Sequence, residues 1–472
     1  VRLPLLAAAA ALFATWAPAA WAASGVTGVS ITSQTPAGTH GGVAFVRTQG
    51  TVSGTIEAGE PVVGLEKLTA AGPYRYAAAF ELIAPVAGQA RVVVFDSENR
   101  GGPSSYRHLD GFLQRHGTAY ARVQWQTGVA RDVPADAQGV GLVIVRDFGR
   151  WLAGRAPGAE IAGGALSPPA FPKMIITGIS QSGWFVNTFL AEGFNEDPVT
   201  KGPVFDGAIA IDGGGGWLAI NALGARVGAP QAPYIINDFR PLRRQGIMRR
   251  PMSDPVYVDI VNFTDFYRLR AGATSRFSSP PKFRRYEWPS PHAVGGPGPW
   301  PANCNGGKPM TTNPISYSPY FRAVIMGMQR SIGVEGVTGR VLPPSTVFSL
   351  GGEPQPSEFF NASPIVRSPA PIVDNHGFPL GGTRFVEADL PLGQPKPIVV
   401  PPALTDSINN TCANRGGWTP YTAKELNELY GSKAKYLVRY AAAVDALIAQ
   451  GWLLAEDKAA MVLAAGKAWP SR

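Results

Sequence analysis

Met174-Ile175-Ile176-Thr177-Gly178-Ile179-Ser180-Gln181-Ser182-Gly183-Trp184-Phe185 decides the fold of this 472-residue chain. Met174 to Thr177 is a compact apolar run of the kind shown by a strand buried on both faces. Beyond Gly183, the residues Trp184, Phe185, Thr188 and Phe189 fall at helical spacing, which predicts a helix to about Phe194. Between strand and helix lies Gly178-x-Ser180 with small neighbours. A strand that turns sharply into a helix pushes the intervening side chain out at the end of the sheet. A serine hydroxyl needs that exposure, and a base beside it, to act as a nucleophile. The usual spacing is G-x-S-x-G; here Ser182 takes the last place and Gly183 follows. Alone, such a hexapeptide reads as a turn before a helix, but its strand-and-helix context favours Ser180 as a nucleophile.

Working outward, the pattern alternates. From Val26 to Pro85 short β-like runs are punctuated by Gly and Pro. Arg91 to Phe95 reads as a buried strand that empties into the loop Glu98-Asn99-Arg100-Gly101-Gly102. A helical stretch near Leu109 to Arg115 and a strand from Thr118 to Gln124 follow. Past the serine, strands are expected at Gly207–Ile211, Val256–Val261 and Phe283–Trp288, the last leading into Pro289-Ser290-Pro291-His292. Strands separated by helical patterns imply an α/β protein with a mostly parallel sheet covered by helices. Gly333 to Pro420 is rich in Pro and Gly and is expected to form an irregular lobe around the core. Ser432 begins a helix with Leu437, Tyr440, Val444, Leu447 and Ile448 on one face, ending at Gly451, and a last helix covers Asp457 to Lys467. The expected division is 1–22 leader, 23–332 catalytic domain with its β region, 333–420 lobe, and 421–472 helices packed on the core.

A base must follow the serine if the chain order is Ser, acid, His. Of five histidines, only His292 and His376 qualify; His292 leaves the last strand, whereas His376 sits in a hairpin-like Asp374-Asn375-His376-Gly377. Placement favours His292. The acid that would orient its imidazole is expected to be Asp265, directly after the Val256–Val261 strand, with Asp212 as main rival and Asp254 and Asp259 weaker. An oxyanion site would use the backbone N–H of Gln181 and the loop after Phe95, hence Asn99 or Arg100.

Arg2, the apolar Leu3–Ala17 and Ala20-Trp21-Ala22 have the layout of a secretory signal peptide, which predicts a periplasmic or secreted protein with no membrane span after removal. In an oxidising compartment the two cysteines, Cys304 and Cys412, are expected to pair. Hydrophobic residues make up 45% of the chain and charged residues 16%, which excludes disorder. The net charge of +9 is mostly scattered, apart from Arg240, Arg243, Arg244, Arg249 and Arg250, a cluster that could meet an anionic substrate but more often is a solvated face. No nucleic-acid-binding motif accompanies it.

With these residues in place, the chain resembles a bacterial branch of the α/β-hydrolase superfamily over most of its length. The marks are Asn99-Arg100-Gly101, the Gly178-Ile179-Ser180-Gln181-Ser182-Gly183 elbow with Phe194-Asn195 at the helix end, Thr264-Asp265, Tyr286-Glu287-Trp288 leading to His292, and Pro371-Ile372-Val373-Asp374. Departures are Trp184, where arginine is common, and Phe263, where an acidic residue often precedes Thr-Asp. The resemblance implies a hydrolase in which Ser180 is nucleophile, Asp265 acid and His292 base. Carboxylic-ester hydrolysis of a small molecule without metal or organic cofactor is the expected chemistry. The same triad would serve an amide, lactone or peptide hydrolase, and a binding protein that has lost activity is the reading from a different class.

Overall fold

The computed structural model describes residues 24–470, apart from 58, 61–73, 87–89, 110, 127–129, 132–138, 157, 214–246, 269–280, 293–310, 356–367 and 398–414. The expected leader, Cys304, Cys412, Arg240, Arg243 and Arg244 therefore lie outside the described residues.

Eleven strands form one sheet: β1 (Gly25–His40), β2 (Val43–Ile56), β3 (Tyr74–Pro85), β4 (Val92–Asp96), β5 (Ala119–Val123), β6 (Ala130–Arg131), β7 (Glu160–Ala162), β8 (Lys173–Ile179), β9 (Gly207–Ile211), β10 (Val256–Asn262) and β11 (Phe283–Trp288). Their spatial order is β11-β10-β9-β8-β4-β5-β3-β2-β1-β7, with β6 beside β3. From β5 to β11 every neighbouring pair is parallel. β3, β2 and β1 join antiparallel and make an N-terminal β extension of the same sheet.

Most residues of the parallel strands are buried because both sheet faces are covered. Successive side chains point to opposite faces, so Val93 and Phe95 enter one core while Val92 and Val94 enter the other. The first core holds helices α3 (Val140–Leu152) and α4 (Gln181–Glu192). The second holds α1 (Tyr106–Leu109), α2 (Phe112–Arg115), the helix Ser318–Ser331 and the C-terminal helices. Each fully buried Val or Ile contributes about 1.5–3 kcal/mol.

The β extension differs from its sequence reading in strand length. β1 and β2 run for 16 and 14 residues, where Gly and Pro suggest short pieces. The glycines are interior packing positions: a Cβ on Gly50 would lie 2.1 Å from the carbonyl oxygen of Ser30 on the neighbouring strand.

Within 333–420 the described residues include a hairpin of Leu350–Gln355 and Ser368–Pro371 and a short helix, Val386–Asp389. Gly417–Pro420 pairs with Gly393–Lys396 on one side and Thr311–Thr312 on the other in a three-stranded sheet. The last helices are Ala423–Tyr430, Lys433–Gln450 and Lys458–Ala468. Ser432 caps the second by accepting from the Lys435 N–H, and Gly451 ends it at φ +88°. Among the described residues no helix is long and apolar enough to cross a membrane.

Candidate active site

Ser180 stands between β8 and α4 at φ +63°, ψ −122°, a conformation that costs a non-glycine residue about 1–3 kcal/mol. Its N–H donates to Ile211 O at the end of β9 (2.8 Å), and its carbonyl accepts from the Trp184 N–H (2.9 Å). The neighbouring glycines are required by space. A Cβ on Gly178 would lie 2.4 Å from the backbone of Ser182, and one on Gly183 would lie 2.5 Å from Ile211 O. Position 182 holds a serine, whose buried hydroxyl finds no hydrogen-bond partner among the described residues. The elbow therefore needs glycine at 178 and 183 and tolerates its absence at 182.

Gln181 opens α4. Its backbone N–H belongs to the first turn, where helical N–H groups lack intrahelical acceptors and the helix dipole favours negative charge. The loop after β4 reaches the same place. Asn99 and Gly102 bond reciprocally (2.8 and 3.2 Å) around Arg100 at φ +56° and Gly101 at φ +81°, the two-residue turn with both central φ positive. Asn99 Nδ2 donates to Ile179 O (3.2 Å), one residue before Ser180. Asn99 thus fixes the loop against the elbow, with its N–H committed to the turn.

Asp96 anchors that loop from behind. Its carboxylate accepts from the N–H groups of Ser104, Ser105 and Tyr106, the Ser104 hydroxyl (2.6 Å) and the Tyr120 hydroxyl (3.3 Å). Burial raises its pKa and the Ser104 and Ser105 hydrogen bonds oppose that. Arg122 ties Glu98 to Glu81, and Trp125 Nε1 donates to Glu98 O (2.9 Å). Sequence reasoning passed over Asp96; an acid ending a buried apolar strand was the available signal.

His292 follows β11 and is 7% exposed. Its Nδ1 lies 2.8 Å from Asp212 Oδ2 and 2.9 Å from Asp265 Oδ2. The expected acid and its rival thus share one imidazole nitrogen. Asp212 ends β9 at φ +54° with its N–H on Ile260 O (2.8 Å). Asn262, at the end of β10, donates to it through N–H (2.7 Å) and Nδ2 (2.6 Å). Asp265 sits in α5 (Phe263–Arg268). Thr264 Oγ1 accepts the His292 N–H (2.8 Å) and donates to Asp265 (3.3 Å). Burial disfavours the imidazolium, but Asp265 and Asp212 outweigh it and push His292 up to about 9. Burial, then the charge of Asp265, raises the Asp212 carboxyl. Asp212, Asp265 and His292 place ligand atoms within 4.8 Å of one another, near enough to share a metal ion. The direct Nδ1 contacts are those of an imidazole held between two acids.

Other expected residues lie elsewhere. His376 occupies its hairpin turn and bonds the Tyr421 hydroxyl (2.6 Å). Asp259 pairs with buried Arg285, and Asp254 accepts from the Arg250 N–H (2.7 Å). Arg249 and Arg250 donate to Ala191 O (2.7 and 3.1 Å), so these two members of the arginine cluster close the C-terminus of α4. Behind His292, the Tyr317 hydroxyl donates to His292 O (3.3 Å) and meets His108 Nε2 (3.3 Å), while His108 Nδ1 meets Ser318 Oγ (2.8 Å). Burial, reinforced by Arg107, Arg322 and His292, lowers His108 to about 3, so it stays neutral. Neither Tyr317 nor His108 carries a local sequence signal, since long separations bring them together.

The ends of β4, β8, β9, β10 and β11 thus converge on one edge of the sheet. The family of the alpha/beta hydrolase domain matches residues 20–463. The chain belongs to this family. Membership supports a hydrolase function in general. No curated protein matches the chain. Among solved structures, esterase Est22 is 18% identical over 45% of this chain and 67% of that one, with a TM-score of 0.24. A CE15 glucuronoyl esterase from Teredinibacter turnerae is 14% identical over 56% and 74%, TM-score 0.29. An arylesterase is 10% identical over 45% and 72%, TM-score 0.26. Likeness at this level carries nothing about substrate.

Proposed function

We propose that this family member is an exported serine hydrolase that cleaves carboxylic esters through an acyl-enzyme on Ser180. The observation that carries the reading is the strained Ser180 at the β8–α4 turn, beside strands whose ends hold His292 between two carboxylates. His292 Nδ1 faces the acids, which leaves Nε2 to take the Ser180 proton as the hydroxyl attacks the ester carbonyl. The imidazolium formed is stabilised by Asp265 and Asp212, then gives its proton to the leaving alcohol. The Gln181 N–H and a donor from the loop of Asn99 and Arg100 bind the oxyanion. Water, deprotonated by the same imidazole, releases the acid and restores Ser180.

The same reading has residues 1–22 removed on export to the periplasm or beyond, Cys304 paired with Cys412, and 333–420 forming a lobe on the core. Leader, composition and spacing support these parts. Hydrolysis of p-nitrophenyl esters of increasing acyl length by the purified mature protein is the experiment. Turnover in the wild type that falls at least 10⁴-fold in Ser180→Ala supports the reading. Equal turnover in the variant ends it.

A further inference from the structure

A cavity of about 700 Å³ lies between the helix Ser318–Ser331, the three-stranded sheet and the C-terminal helices. Its walls are apolar, with Ile315, Leu390, Leu392, Trp418, Met461 and Ala465 prominent. All but one of its charged groups are already matched. Glu387 is held by the Tyr440 and Tyr320 hydroxyls, and burial raises its pKa toward the neutral acid. Asp457 is paired with Arg322 (3.0 and 3.2 Å). Lys467 is the exception: exposed, lining the cavity, and without an ion-pair partner among the described residues.

The cavity is not the proposed catalytic site. Ser180, Asp212, Asp265 and His292 do not line it; Ser316 does, and the next residue, fully buried Tyr317, donates to His292 O. Cavities of this size and polarity suit a ligand that buries most of its surface in apolar contact and is oriented by a few polar groups. An apolar body with one free cation at its edge fits an amphiphile: a tail inside and an anionic head at Lys467. We propose that this cavity binds the alkyl chain of a free fatty acid, with its carboxylate at Lys467, as a site distinct from Ser180.

The test measures binding of sodium butyrate, hexanoate, decanoate and dodecanoate by titration calorimetry, using Ser180→Ala protein so that no outcome depends on hydrolysis. Affinity is expected to rise about fourfold per methylene until the chain fills the cavity. Ala460 and Ala464 are exposed, line the cavity one turn apart on Lys458–Ala468, and lie outside the core. Ala460→Phe/Ala464→Phe is expected to weaken dodecanoate at least tenfold with an unchanged thermal midpoint. Lys467→Glu is expected to weaken it by about two- to fivefold at low salt, an effect lost at high salt. Absent binding, affinity independent of chain length, or dodecanoate binding untouched by both variants overturns the proposal. So does loss of dodecanoate binding when Ser180 of the wild type is phosphonylated, which would move the fatty acid to the catalytic site.

Discussion

Two carboxylates on one imidazole nitrogen make a prediction that a single-acid triad does not. His292 at about 9, against an ordinary 6.5, corresponds to roughly 300-fold tighter proton binding, about 3 kcal/mol. The base in the proposed reaction must be neutral, so kcat/KM should climb about tenfold per pH unit and level off only near pH 9. At pH 7 about 1% of the imidazole would be free. Asp265 and Asp212 both contribute to the raised value, while burial acts against it. Asp265→Asn or Asp212→Asn removes one charge, and the apparent pKa should fall by about 1–2 pH units. Asparagine at 212 also tolerates the left-handed φ of +54°. Each variant keeps one acid 2.8–2.9 Å from Nδ1, so the tautomer survives. The loss at pH 10 should then be only about tenfold for each, whereas the double variant should lose roughly 10³–10⁴-fold as in triads stripped of their acid. Steady-state hydrolysis of p-nitrophenyl acetate from pH 5.5 to 10.5 for the four proteins measures both quantities. A single variant as inactive as the double, or a wild-type pKa near 6.5, would refute the shared clamp.

Three further outcomes follow from the same geometry. Asp96→Asn weakens the buried acceptor for loop donors and should lower both kcat and stability, the latter by about 2–4 kcal/mol in urea unfolding; unchanged kcat would detach this anchor from the oxyanion loop. Ser182→Ala removes a buried hydroxyl without a partner among the described residues and should leave activity intact while stability stays level or rises by up to about 1 kcal/mol. Gly183→Ala drives a Cβ to 2.5 Å from Ile211 O and should destabilise by about 1–3 kcal/mol or more, with a lower thermal midpoint and loss of turnover; a fully active, equally stable variant would mean the elbow has more room than these contacts allow.

Much of the fold was legible because local and global signals agree. The run Met174–Thr177 is apolar since β8 is covered on both faces, and it does end at a turn into a helix beginning at Gln181. The helix read from Ser432 to Gly451 carries its own start and stop residues, and it spans Lys433–Gln450. The long strands β1 and β2 were harder, because glycine inside a strand and glycine in a turn look alike in sequence. Strand ends pointed to Ser180, His292, Asp212 and Asp265 as candidates, but no spacing rule ranks two acids that both meet His292 only once β9, β10 and β11 are side by side. The supporting groups were out of reach for a plainer reason. Tyr317 and His108 are 209 positions apart and meet only once the sheet is built.

A Ser180 hydroxyl activated by His292 should behave as a nucleophile towards phosphonylating reagents. Incubating the folded protein with a fluorophosphonate and mapping the adduct by peptide mass tests it most directly. Stoichiometric modification on Ser180 is expected, faster at pH 9 than at pH 7 and slowed at least 10³-fold in His292→Ala. Modification at another residue, or none in the folded wild type, would contradict it.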